Sequence, residues 1–474
     1  MEAAGHSLRR ELSATALTLL GIGGIIGTGI FVLTGTAAAD HAGPALALSF
    51  IIAGVGCTFA GLCYAEFAAM IPVSGSAYSY SYATLGEAVA WFIGWNLILE
   101  YLFAVATVST GWAGYVLSLL DQFHVHLPYA LSHAPFDQGK TPLDIVHTGA
   151  ILNIPAMVIV AAISTICYVG IRQSSAFNTV IVVIKVAVVV MFIVVGVSYV
   201  DPAHWHPFIP ANSGEYGRYG WSGVMAAAAV IFFAYIGFDA VSTAAQETRN
   251  PQRDMPIGIL ASLIICTILY VVVAVVLTGM VSYTRLSVPA PVAFAIDQFP
   301  QLKWLGVPIK IGAIMGMTSV MLVMTLAQAR IFLAMAKDGL LPPWFGRVHP
   351  RFRTPSTATV ITGSCAAIIG GLFPVRILGE LVSIGTLAAF VTVCLGVLVL
   401  RRTRPDLPRP FRAPAYKFTC IAGAVVCSAM MLSLGLDTWL RLVVWTIVGA
   451  LVYAFYGYRH SRVGAGSGVA STSR

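Results

Sequence analysis

Long apolar runs alternate with short polar segments along almost the whole chain. The runs lie at about 15–38, 44–71, 88–120, 149–170, 176–199, 222–246, 256–282, 306–336, 356–373, 377–400, 418–436 and 439–458. A run of about 18 or more apolar residues matches the roughly 30 Å hydrocarbon core of a bilayer. The pattern therefore predicts an all-α integral membrane protein with about twelve transmembrane helices. Each backbone N–H and C=O in lipid must be satisfied within its own segment, which a helix does and an open strand does not.

Composition sharpens this and excludes the main alternative. The chain has 474 residues, 58% hydrophobic and 10% charged. Soluble domains carry about 25% charged residues. The net charge of +8 does not point to nucleic acid, because the basic residues fall in short clusters between apolar runs. With both termini inside, eighteen Lys and Arg lie on the inner side, among them Arg249, Arg253, Lys337, Arg347, Arg401, Arg402 and Arg409; seven lie outside. Basic residues favour the cytoplasmic face, so both termini are expected in the cytoplasm of a multi-pass inner (plasma) membrane protein.

Cysteine usage adds little. The eight cysteines lie within apolar runs, in no CxxC pair and beside no His cluster, so neither disulfides nor a metal site is expected. The start of the chain lacks a small-residue cleavage site, and the first helix is expected to stay in the membrane. The outer loop 121–148 carries His124, His126, His133 and His147, which read as solvated side chains rather than metal ligands. The tail 459–474 is Gly/Ser-rich towards its end and is expected to be disordered and cytoplasmic.

Two spans break the rules of an ordinary helix. The first contains Gly21, Gly23, Gly24, Gly27 and Gly29 within nine residues. Each Gly costs about 1 kcal/mol relative to Ala in a helix. Small residues also serve close helix packing, but this density predicts an interruption. The sixth span carries Gly237 and Asp239 near its middle; an acidic group there is a functional candidate, or a local cap of the break. Interrupted helices five spans apart are the sequence mark of a secondary transporter built from inverted repeats. The repeats would cover 15–199 and 222–400, with 418–458 appended and 1–14 as a cytoplasmic lead segment.

The motifs at these breaks carry a resemblance. The run Gly24-Ile25-Ile26-Gly27-Thr28-Gly29-Ile30-Phe31 resembles the signature of the amino acid–polyamine–organocation superfamily, as do Gly43-Pro44, Tyr64-Ala65-Glu66 and Pro72-Val73-Ser74-Gly75-Ser76-Ala77-Tyr78. Phe238-Asp239, Glu247-Thr248-Arg249-Asn250-Pro251, Asp254-Met255-Pro256, and Arg330 with Lys337-Asp338-Gly339-Leu340-Leu341-Pro342 are similar to the bacterial branch of the cationic amino acid transporter family. The resemblance covers about residues 10–460. It implies the five-plus-five inverted-repeat (LeuT-like) fold and amino-acid uptake, with an amino acid, protons and membrane lipids as partners and no nucleic acid.

It also implies site residues. The substrate carboxylate would meet the backbone N–H groups of Thr28 and Gly29, and the ammonium the carbonyls of Ile25, Phe233 and Ile236. Phe233 falls where the family places an aromatic lid. Exposed half-helix ends suit these charges through their partial charges. Met317, Met321 and Met324 recur at helical spacing, where Met is usually core filler. Placed against the family, Met324 faces the side-chain pocket and leaves room for a small substrate. No carboxylate is an obvious partner for a cationic side chain, so a small neutral, alanine-like amino acid is expected.

Coupling rests on buried charges. Lys185 lies mid-span among Val and Ile, where an ammonium is costly unless paired; it is either a fixed structural cation or a proton carrier. Relatives carry a Lys at the corresponding place, where sodium-coupled proteins bind their ion, so the coupling ion is expected to be a proton and no cofactor or metal is expected. Glu100 in span three, Asp239 and, with less weight, Glu66 are further candidates. A membrane-embedded enzyme would need a cluster of His, Asp or Glu near an interface, and none is evident. The competing transport readings are a cationic carrier and an exchanger.

Overall fold

In the computed structural model the described residues are 12–70, 76–84, 86–139, 144–170, 175–242 and 248–461. Pro72–Gly75, Glu247, most of the lead segment and the end of the tail lie outside them.

Among the described residues, helices fill all twelve predicted spans. The second, third, fourth and fifth spans are Leu46–Met70, Glu87–Gln122, Ile154–Val169 and Ser175–Gly196. The seventh to twelfth are Pro251–Met280, Lys303–Lys337, Ser356–Leu372, Val375–Thr403, Tyr416–Ser433 and Leu436–Val452. The apolar surface of these helices is left facing outwards. Ile154, Val180, Val194, Ile268, Val360, Val444 and Ile447 are exposed, as lipid-facing residues are.

Three features escaped the hydropathy pattern. Ser76–Thr84 forms a short helix between spans two and three, and Pro291–Asp297 forms another before span eight. Loop 121–148 holds a two-stranded antiparallel hairpin, with Phe136 opposite His147 and Gln138 opposite Ile145. All three are polar or short enough to read as loop.

The third span sits centrally, packed on the eighth, the tenth and the fourth. Its N-terminal half is fixed to span twelve by indoles. Trp91 donates to the Gly449 carbonyl (3.0 Å) and Trp95 to that of Trp445 (2.8 Å); the Trp95 and Trp445 rings stack 4.6 Å apart.

Both interruptions are present. The first span runs as an α-helix over Ala14–Ile25, turns extended at Ile26 (φ −72, ψ 103) and resumes as a wider turn over Gly29–Leu33. The sixth runs over Gly220–Ile231, tightens over Phe232–Tyr235 and turns extended at Ile236. Gly237 then adopts φ +116, a conformation open to Gly but strained for other residues. The breaks face each other. A Cβ on Gly29 would lie 2.2 Å from Ala234 Cα, and one on Gly24 would lie 3.1 Å from the Gly237 carbonyl oxygen. The glycines therefore interrupt the helix and bring two backbones together at once; the packing and break readings are both right.

Candidate substrate site between the broken helices

A small pocket opens where the breaks meet. Its lining includes Ile25, Thr28 and Gly29 of the first span, Phe233 and Ile236 of the sixth, and Met324 of the eighth. The six residues named from the sequence thus converge on one place, although nearly 300 positions separate the first from the last. As it stands the pocket holds about one water molecule. Phe233, buried at the pocket, is one of its walls.

The polar surface of the pocket is mostly backbone. Ile25 is the last residue of its helix, and the carbonyls of a terminal turn lack partners one turn on. Thr28 and Gly29 open the half-helix that follows, where N–H groups point out with the positive end of the dipole. The Thr28 hydroxyl is fully buried with no partner among the described residues. Such an orphan calls for an acceptor or donor from a ligand or water. One end of the pocket therefore offers donors and the other acceptors.

Sequence reasoning missed several walls. Ala104 and Val108 of span three and Val320 of span eight also line the pocket. They are small or β-branched residues in apolar helices, indistinguishable in sequence from their lipid-facing neighbours. Met324 lies against the Gly237 turn; a Cβ on Gly237 would be 2.9 Å from its Cε. Met317 and Met321 are buried filler in the same helix.

Beside the pocket, Lys185 is fully buried. Its ammonium donates to the Gly23 carbonyl, to the Ile26 carbonyl at 3.1 Å and to Ser319 Oγ at 3.1 Å. An ammonium has three protons, and each has an acceptor. Two of the three are carbonyls at the break of the first helix, so Lys185 clamps the interrupted turn to spans five and eight. Ser319 was missed because it is one of several hydroxyls in an apolar run, directly after Thr318.

The acidic candidates separate into different roles. Asp239 does not line the pocket. It accepts from the Tyr101 hydroxyl and lies close to the backbone N–H groups of Gly237 and Ala240, at the turn after the sixth-span break. Glu100 is fully buried one residue from Tyr101, close enough to interact with Asp239 and with Thr386 of span ten. Glu66 is instead held by span ten and the segment after it. Arg401 donates to both its oxygens (2.8 and 2.5 Å), the Ala413 N–H donates at 2.8 Å, and Arg409 lies 3.5 Å away. Fully satisfied in this way, Glu66 is an anchor for two arginines that the sequence marked only as topology signals.

The loop histidines are spread out. His126 pairs with Asp121 at 3.1 Å, His133 meets Ser132 Oγ at 2.9 Å, and His147 packs on Phe136. Among the described residues no three His, Cys, Asp or Glu gather as a metal site would require.

Opposed half-helix ends meeting at a pocket deep in a multi-span bundle define a membrane transporter rather than an enzyme. Residues 12–453 match the amino acid permease family, and the chain belongs to that family, within the amino acid–polyamine–organocation superfamily. It is 49% identical to the methylthioribose transporter of Bacillus subtilis, covering 96% of this chain and 95% of that one. It is 47% identical to the branched-chain amino acid permease BcaP of the same organism, with the same coverages. It is 38% identical to the vacuolar cationic amino acid transporter 4 of Arabidopsis thaliana, over 85% of this chain and 65% of that longer protein.

Proposed function

We propose that this protein takes up small neutral L-amino acids across the plasma membrane by alternating access, driven by protons, with both termini in the cytoplasm. The observation that carries the reading is the convergence of Ile25, Thr28, Gly29, Phe233, Ile236 and Met324 on one pocket. An amino acid is a zwitterion. Its carboxylate suits the N–H groups at Thr28 and Gly29, and its ammonium suits the carbonyls of Ile25, Phe233 and Ile236. The side chain points to Ala104, Val108, Val320 and Met324. Among the described residues no carboxylate lines this pocket, which favours a neutral over a cationic side chain.

Proton coupling rests on Lys185. Protonated, it bonds the carbonyls of Gly23 and Ile26 and holds the first helix in one shape. Released of its proton, it donates fewer bonds, and the half-helix is freer to move and open the inner gate. Glu100 and Asp239, close enough to interact, are the groups through which a proton would pass to the cytoplasm. The paired breaks at spans one and six support the five-plus-five repeat organisation.

Methylthioribose is the second substrate reading, prompted by the Bacillus relative. That sugar has neither carboxylate nor ammonium and would leave the opposed half-helix ends unused, so the amino acid is preferred. Proteoliposomes loaded with the purified protein decide the matter. Labelled L-alanine should accumulate when the interior is made alkaline, and unlabelled methylthioribose or L-arginine in hundredfold excess should not compete. Equal uptake without the pH gradient, dependent on internal amino acid, would make the protein an exchanger instead.

A further inference from the structure

Tyr270 of span seven stands between the two breaks. It is fully buried, and its ring is held by Phe50 and Tyr235, with centroids 5.4 and 5.6 Å away. Its hydroxyl reaches the Ile25 carbonyl at 2.9 Å and the Ala234 carbonyl at 3.0 Å. Ile25 ends the first half-helix of span one, and Ala234 lies in the last turn before the break of span six. One phenol thus spans the carbonyl ends of both interrupted helices.

A phenol carries one proton. Two carbonyls at bonding distance compete for it, and neither can offer a proton in return. One of the two is therefore short of a donor at any moment, in a buried place where an unanswered carbonyl is costly. Both carry the partial negative charge of a helix C-terminal end. The missing donor is a cation or an N–H group, and Ile25 is the member of the pair that lines the pocket.

We propose that Tyr270 is the positioning residue of the ammonium subsite. It holds the Ile25 and Ala234 carbonyls in register, and it yields Ile25 to the substrate ammonium while its own proton settles on Ala234. Substrate binding then leaves both carbonyls satisfied and ties span six to span seven more firmly than before. The inference rests on the assignment of the ammonium to the Ile25 carbonyl.

Tyr270→Phe keeps the ring and removes the proton. The KM for L-alanine should rise about fivefold to tenfold once the two carbonyls are no longer held in register, with the maximal rate within about twofold. Tyr235→Phe is the control. Tyr235 belongs to the same aromatic group, but its hydroxyl donates to the Phe50 carbonyl at 2.8 Å and touches neither break. A merely structural role would move both variants alike. If wild-type protein binds propionate as well as alanine, the ammonium assignment itself fails. If wild type prefers alanine but Tyr270→Phe keeps the wild-type KM, or Tyr235→Phe raises it equally, the role of Tyr270 fails. Should Tyr270→Phe not reach the membrane, wild-type protein with ring-labelled tyrosine at position 270 is examined by infrared difference spectroscopy. The phenolic C–O band should shift on adding alanine and stay put with propionate; no shift with alanine overturns the inference.

Discussion

The ammonium of Lys185 in the fifth span is hydrogen-bonded to the carbonyl of Ile26, 3.1 Å away at the break of the first. Charge and proton exchange can be separated at this contact. Lys185→Ala should lose uphill uptake of alanine. Lys185→Arg fills the space and cannot release its proton, so it should also fail to concentrate substrate, even under an imposed pH gradient. An Arg variant that still concentrates alanine in proteoliposomes would move the proton to Glu100 or Asp239.

Gly29 cannot carry a side chain without displacing span six. Its added Cβ would overlap Ala234 at 2.2 Å, against backbone rather than a flexible side-chain end. Overpacking of this kind costs about 1–3 kcal/mol or more. Gly29→Ala should lower uptake at least tenfold and lower the melting temperature in detergent, and Gly29→Leu should abolish uptake. Thr28→Ser, which keeps the orphan hydroxyl, should transport at a rate close to wild type.

Met324 tests the size of the substrate pocket. Met324→Ser shortens the wall beside Gly237 and leaves a polar group in its place. The variant should accept larger amino acids, including arginine or lysine, in competition against labelled alanine. An unchanged rank order of competitors would make Met324 core filler.

Glu66 and Arg401 form a clasp between spans two and ten. Removing one partner of a buried ion pair costs roughly 3–5 kcal/mol, because the other is left uncompensated. Glu66→Gln and Arg401→Met should each lower the melting temperature clearly, and the double variant should recover part of the loss. Additive effects in the double variant would show that the pair is not coupled.

Topology is open to a direct check. Tyr129 is exposed in loop 121–148, and a cysteine there should react with an impermeant maleimide added to intact cells. A cysteine at exposed Trp344, on the opposite side in the proposed orientation, should react after lysis.

Much of this architecture is local and therefore legible in the chain. Twelve spans follow from run length, because lipid leaves a backbone no partner but itself. Both breaks follow from glycine density and from an acid in mid-span, since those are intrinsic costs of particular residues at particular positions. What the pattern of residues could not supply was the company each residue keeps. Ala104, Val108 and Val320 became pocket walls only when three helices met, and nothing marks them within their own helices. Glu66 and Asp239 were both intramembrane acids in the sequence, with Glu66 given the lesser weight. The fold gave one two arginines and a backbone amide, and the other a tyrosine and a helix end. Tyr270 was one of many tyrosines until span seven carried its hydroxyl to two carbonyls more than 200 positions apart in the chain. Burial cost is a property of the residue and its span. Satisfaction of that cost depends on distant partners, so only the tertiary structure decides it.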